Sequence, residues 1–135
     1  MPLQCIVVTP ERAVLDETAD FVALPLYDGE LGVLPSRAPL IGRLGYGELR
    51  IRRGTSVERY FVDGGFAQVR GNVVTVLTPR AVRAEEIDAN AAAQALQAAT
   101  TQPPPGQSPE ARLAAEQRAR ARIRIAHRSG QEAHG

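Results

Sequence analysis

The sequence predicts a β-sandwich or barrel of roughly eight to ten short strands, followed by a two-helix hairpin. Three observations carry this. Up to residue 84, short runs of Val, Leu and Ile are punctuated by Gly, Pro, Asn and Asp about every eight to twelve residues. After residue 84 the composition turns to Ala, Gln, Glu and Arg, which are good helix formers. Between two such helical stretches stands Pro103-Pro104-Pro105-Gly106, which no helix crosses. The expected organisation is therefore a β unit over 1–84, a helical hairpin over 85–128 and a disordered tail over 129–135.

The strands follow in order. Residues 3–9 form an apolar first strand closed by Thr9-Pro10, and residues 13–15 a short second one. In the third, residues 20–26, Pro25 removes a ladder donor and marks an edge or a bulge. A turn at Tyr27-Asp28-Gly29-Glu30 leads to residues 31–34, then to a proline-bracketed loop, 35–39. Residues 48–52 alternate Glu/Leu/Arg/Ile/Arg, the pattern of a half-buried strand. Gly54-Thr55-Ser56 turns into residues 58–62, and Asp63-Gly64-Gly65 reads as a further turn before 66–70. Gly71-Asn72 is the tightest hairpin signal, and 73–77 completes it. Few aromatics are present (4%), so Val, Leu and Ile must fill the core. In the second part, a helix over 84–99 presents Ile87, Ala91, Ala95 and Leu96 on one thin face. Ser108-Pro109-Glu110 starts a second helix, with Ser as N-cap and Pro in the first position, and Ser129-Gly130 is expected to end it. A hairpin with such narrow apolar faces is weakly held and suited to more than one position.

Composition excludes several functions. All 16 basic residues are arginine, against 15 acids, for a net charge of +1, so the chain is not a globally basic nucleic-acid binder. Cys5 is alone, which rules out an internal disulfide and suits a small buried hydrophobe. No apolar run reaches the roughly 18 residues of a membrane span, and no signal peptide is evident, so a cytoplasmic location is expected. With one Cys and two His, a zinc site is improbable. Without lysine there is no phosphate-binding Gly-Lys-Ser/Thr loop, and no Gly-x-Ser-x-Gly elbow is present. Asp16, Glu17 and Asp20 read as a solvated turn. No catalytic constellation emerges, and neither a metal nor a cofactor is expected.

Two features invite interaction instead. Asp28, Gly29 and Glu30, with Arg37 close behind between two prolines, form a rigid charged surface. Arg118, Arg120, Arg122, Arg124 and Arg128 fall within a stretch that has no acid. On a helix, 118 and 122 make one row and 120, 124 and 128 another, nearly opposite. Like charges at i, i+4 cost a few tenths of a kcal/mol per pair, a penalty that an acidic partner reverses. Residues up to 84 hold 10 arginines and 9 acids, and the rest hold 6 of each. The balanced total conceals a hairpin with acids on its first helix and arginines on its second.

These residues resemble a known family. The run Asp28-Gly29-Glu30-Leu31-Gly32-Val33-Leu34-Pro35, followed by Arg37-Ala38-Pro39-Leu40, is its most specific signature. Around it, in order, stand Ile6-Val7-Val8-Thr9-Pro10-Glu11, Gly47-Glu48-Leu49-Arg50-Ile51, Gly64-Gly65-Phe66, Asn72-Val73-Val74-Thr75-Val76-Leu77, Ala81-Val82-Arg83 and Glu86-Ile87-Asp88. Together they resemble the epsilon subunit of bacterial F-type ATP synthase. The resemblance implies an antiparallel β-sandwich of about ten strands and a C-terminal hairpin. It implies a non-catalytic rotor subunit that couples proton or sodium translocation to ATP synthesis. Its partners would be the gamma subunit, the c-ring and the catalytic beta subunits, at the cytoplasmic face of the inner membrane. Asp28, Gly29, Glu30 and Arg37 would meet the c-ring and gamma, although Arg37 stands where the family often has His. Arg118, Arg120, Arg122 and Arg124 would meet an acidic region of the beta subunits and brake ATP hydrolysis. Some members bind regulatory ATP through Ile/Leu-Asp-x-x-Arg-Ala. Here Ile87 and Asp88 match, Arg118 and Arg122 suit the second helix, but Ala91 replaces the arginine, so weak binding or none is implied. A competing reading is a β-sandwich adaptor whose arginine-rich tail binds RNA or an acidic protein.

Overall fold

A computed structural model describes residues 2–101 and 106–134. Eight strands form the first part: β1 (Leu3–Val8), β2 (Ala13–Ala19), β3 (Phe21–Leu26), β4 (Gly29–Val33), β5 (Leu40–Arg53), β6 (Ser56–Arg70), β7 (Val73–Leu77) and β8 (Ala81–Arg83). They hydrogen-bond in the order β2-β1-β7-β6-β5-β3-β4, with β8 on β6. The series folds around one core. Period-2 alternation sends Leu3, Cys5 and Val7 of β1 and Val74 and Val76 of β7 inward, while in β5 Leu44 is buried on one phase and Leu49 and Ile51 on the other. Burying these aliphatic side chains, at about 1.5–3 kcal/mol each, is the main force holding the sandwich.

The count is eight, within the eight to ten that the spacing predicts, but the strands are divided differently. The 48–52 strand is part of the longer β5. Residues 58–62 and 66–70 are one strand, β6, and Asp63-Gly64-Gly65 is a kink inside it instead of a turn. Gly64 (φ +73°) and Gly65 (φ +104°) adopt backbone that other residues rarely take, so the strand bends without ending. Pairing with β5 keeps one register across the kink, with Leu44 opposite Gly65 and Tyr46 opposite Asp63. On the other flank, β7 pairs with residues 66–70 and β8 with 60–62. Between them Pro79 has no N–H to give. There the Asp63 N–H donates to Thr78 Oγ1 (3.2 Å) and to the Arg80 carbonyl (3.1 Å).

Other differences are smaller. The sheet is antiparallel except for β1 and β7, which run parallel. Pro25 stands in an inner strand, where a register shift between Ala23 and Leu26 absorbs it as a bulge. Asp16 and Glu17 lie within β2, not in a solvated turn, because Leu15 and Ala19 carry the alternation on to residue 19. Gly71 (φ +57°) and Asn72 (φ +63°) make the expected left-handed hairpin turn.

The second compact unit begins at Ala84. A 3₁₀ turn (Ala84–Glu86) precedes α1 (Ala89–Thr101), so the helix starts later than expected. Asp88 is the reason: its Oδ1 accepts the Ala91 N–H at 3.0 Å as an N-cap. The inward residues of α1 are Ala92 and Ala99, with Leu96 half-buried, while Ala91 and Ala95 are exposed and Ile87 lies outside the helix. The packed face is therefore rotated by one position from the expected one. Helix α2 (Pro109–His134) starts as Ser108-Pro109 predicts, with Ser108 Oγ accepting the Ala111 N–H at 3.1 Å. Its backbone continues through Ser129-Gly130 to His134, where a disordered tail was expected. One interior glycine costs only about 1 kcal/mol, and Gln131, Glu132 and Ala133 favour helix. The Pro103-Pro104-Pro105 turn lies outside the described residues, as does Gly135.

Candidate functional site

The chain offers surfaces rather than a cleft with converging reactive groups. Among the described residues, no group of three His, Cys, Asp or Glu is placed to hold a metal ion, and no helix is long and apolar enough to cross a membrane.

The first surface is the tip of the β3–β4 hairpin. Leu26 pairs with Gly29, leaving Tyr27-Asp28 as a two-residue turn, with Gly29 at φ +139°. Asp28, Gly29 and Glu30 are exposed. Glu30 is held from the neighbouring strand but one: Arg50 Nη2 donates to its Oε1 at 2.6 Å, while Arg50 Nη1 stands 3.9 Å from Glu48 Oε1. Tyr27 is 66% exposed, and the Arg43 guanidinium lies over its ring at 4.3 Å. Arg37 is exposed on the connection at the other end of β4, and among the described residues it makes no ion pair with Asp28 or Glu30. Its loop is pinned instead to the β6–β7 turn, where Asn72 Oδ1 accepts the Ser36 N–H at 2.7 Å. The four residues expected to act together thus occupy two separate stations.

The second surface was not anticipated. On the outward face of β5, β6 and β7, Ile41 is 77% exposed, Phe66 57% and Leu77 52%. Register places them side by side: Phe66 pairs with Leu77 and with Arg43, two residues along from Ile41, and Leu77 pairs with Val8. Half-buried Ile6 and Val8 extend the patch across β1, and Arg43, Gln68 and Arg70 flank it. A contiguous apolar area of this kind marks a protein contact. It was hidden in the sequence because the three residues belong to three different strands, and only their register brings them together.

The third surface is α2. Ala119, Ala121 and Ile125 are buried, Arg118 and Arg122 half-buried, and Arg120, Arg124 and Arg128 exposed. The two predicted rows therefore differ in environment. Of the residues matched to an ATP pattern, Ile87 is half-buried before α1, and the Asp88 carboxylate is occupied as the N-cap. A residue not singled out from sequence, Arg112, reaches from α2 to α1: Nε donates to the Ala99 carbonyl at 3.1 Å and Nη2 to that of Thr100 at 3.0 Å.

A charged cluster ties the far end of the sandwich. Arg53 Nη2 lies 3.1 Å from Glu17 Oε2 and 2.8 Å from Glu58 Oε1. Burial, and then the facing Glu58 carboxylate, raise the Glu17 carboxyl above its ordinary range against the pull of Arg53 and Arg83. Cys5 is fully buried, and burial pushes its thiol up to about 12.

Comparison with known proteins fits this geometry. Residues 2–84 match the family described as ATP synthase, Delta/Epsilon chain, beta-sandwich domain. The ATP synthase epsilon chain of Rhodopirellula baltica is 57% identical over 103 residues, covering 76% of this chain and 80% of that one. The epsilon chain of Carboxydothermus hydrogenoformans is 48% identical over 93 residues, 69% of each. Among solved structures, a chain of the Euglena gracilis mitochondrial ATP synthase (OSCP/F1/c-ring) superposes with a TM-score of 0.76 at 25% identity, covering 96% of this chain and 81% of that one. A chain of the Tetrahymena thermophila mitochondrial ATP synthase central stalk and c-ring shares the fold, with a TM-score of 0.61 at 15% identity and 96% of each chain covered. With more than half its length matched by the family's own β-sandwich and most of an epsilon chain aligned at 57% identity, this chain belongs to the ATP synthase delta/epsilon chain family.

Proposed function

We propose that the chain is a non-catalytic central-stalk subunit of an F-type ATP synthase, turning with gamma and the c-ring and coupling ion translocation to ATP synthesis. The observation that carries this is the 57% identity to an epsilon chain across four-fifths of that chain's length. In this reading the outward patch of Ile41, Phe66 and Leu77 seats gamma, since three large exposed hydrophobes need cover. The Asp28-Gly29-Glu30 tip, stiffened by Arg50, meets polar loops of the c-ring, and Arg37, at the other end of β4, serves a separate contact. The subunit then lies peripherally at the cytoplasmic face of the inner membrane.

The helical unit is the regulatory element. Arg118, Arg120, Arg122 and Arg124 engage an acidic region of the catalytic beta subunits when the hairpin opens, and so brake ATP hydrolysis. Support comes from the concentration of guanidinium charge and the mostly alanine packing of the hairpin, which makes opening inexpensive. A regulatory ATP would draw on Ile87, Asp88, Arg118 and Arg122. The capping role of Asp88 and the alanine at position 91 favour weak binding.

The test is co-purification of the full chain with gamma. Native protein is expected to bind stoichiometrically, and Phe66→Asp to lose binding while its far-UV dichroism is unchanged. Failure of the native chain to bind gamma overturns the assignment. Replacing all four arginines by Ala is expected to raise ATP hydrolysis by the assembled enzyme, and unchanged hydrolysis removes the brake.

A further inference from the structure

The last carbonyls of any helix have no partner within it. In α1 the final turn carries no basic residue to satisfy them. The hydroxyls of Thr100 and Thr101 donate backward, to the carbonyls of Leu96 and Gln97, and so leave the later ones open. The carbonyls of Ala99 and Thr100 are taken by a side chain of the other helix: Arg112 spans both, with Nε at 3.1 Å and Nη2 at 3.0 Å. The guanidinium fork suits this, because its two donors are fixed in one plane. Glu116, one turn further along α2, stands 3.7 Å from Arg112 Nε and partly balances its charge. A cation at a helix C-terminus also meets the negative end of the helix dipole.

The setting makes this contact matter. Among the described residues, the buried side chains of the unit are Ala84, Ala92, Ala99, Ala119, Ala121 and Ile125, which give little apolar area. A hairpin held by alanine contacts depends more heavily on any polar clamp across it. The clamp is also reversible, since the Arg112 side chain is 45% exposed and water can take over its donors and the two carbonyls.

We infer that Arg112 is the latch of the hairpin: its two-pronged bond to the end of α1 holds the helices together and sets how readily they separate. The inference rests on the regulatory reading of the hairpin given above. Arg112 therefore acts in the opposite direction to Arg118, Arg120, Arg122 and Arg124. It favours the closed hairpin, whereas they favour the open one bound to the catalytic subunits.

The experiment uses the full chain with Gln94→Cys and Gln117→Cys, two exposed positions on the two helices, carrying nitroxide labels. Cys5 is fully buried and stays unlabelled. Spin–spin distances are measured for the free subunit and for the assembled enzyme, alongside ATP hydrolysis. Arg112→Ala is expected to raise the open fraction about tenfold, the scale set by losing charged hydrogen bonds, and to lower hydrolysis. Adding the four arginine-to-alanine changes restores it. Arg112→Lys keeps the charge and the helix propensity but loses the fork, so it shifts the distances less, with helicity unchanged by circular dichroism. Distances identical to the native protein in both Arg112 variants overturn the latch. Wider distances with unchanged hydrolysis sustain the latch and overturn the brake.

Discussion

Gly65→Ala should damage the sandwich far more than a glycine-to-alanine change in a turn. Gly65 has φ +104°, and a Cβ there meets the Leu77 carbonyl oxygen and lies 2.9 Å from Thr78 Cα. Both obstacles are backbone, so no side-chain rotation relieves them. Holding a non-glycine residue in such a conformation costs about 1–3 kcal/mol. Forcing β6 and the β7–β8 connection apart adds about 1–3 kcal/mol, the usual scale of overpacking. The expected loss of about 2–6 kcal/mol is a large part of the 5–15 kcal/mol typical of a domain. Gly54→Ala is the control: at φ +59° it is also left-handed, yet nothing lies within 4 Å of the added Cβ. It should lose about 1–2 kcal/mol, the strain of a left-handed backbone alone. Urea unfolding of the full chain, followed by the β signal in circular dichroism, separates the two. With a slope of about 1–3 kcal/mol per M, the Gly65→Ala midpoint falls by roughly 1–3 M. A fall no larger than that of Gly54→Ala refutes the close-packed kink.

Three further outcomes are expected. Glu17 has its carboxyl raised by burial and by Glu58, so its protonated form is favoured in the fold. That stabilisation is complete below the ordinary value of 4.5 and is lost as pH rises through the higher native one. Glu17→Gln should therefore gain melting temperature relative to native as pH is raised from 4.5 to 8; a constant gap refutes this. The Cys5 thiol, pushed up to about 12 chiefly by burial, should resist iodoacetamide at pH 8 until the chain is denatured, and rapid labelling of the native protein contradicts its burial. Asn72→Ala removes the acceptor of the Ser36 N–H and puts alanine at φ +63°, so amide exchange at Ser36 and Arg37 should quicken; unchanged exchange shows that the loop is held by other means.

Much of the β unit was readable because strand residues alternate and turns have their own chemistry. Residues 3–8, 21–26 and 73–77 announced themselves as apolar runs, and Gly71-Asn72 announced the turn between β6 and β7. The long strands were not readable for a related reason. Gly64-Gly65 is the composition of a turn, and only the neighbouring backbone of Leu77 and Thr78 reveals that Gly65 serves close approach instead. Candidate interaction residues stood out in the sequence where charge is concentrated, as at Arg118 to Arg124. They were hidden where the signal is pairing between distant strands, as for Ile41, Phe66 and Leu77. Arg112 left no pattern at all, since a side chain that caps another helix's carbonyls can be matched to any sequence at that helix's end.

The single register that β5 and β6 share has a mechanical consequence. The ladder runs in one register from Leu40 opposite Val69 to Arg53 opposite Ser56. Its hydrogen bonds lie across the strands, so a force directed along them loads every bond at once instead of peeling them singly. Because β6 also carries β7 on one half and β8 on the other, a twist applied at the Ile41–Phe66 patch reaches the far end of the sandwich through covalent chain. A subunit built this way behaves under torque as a stiff coupling, not as a hinge.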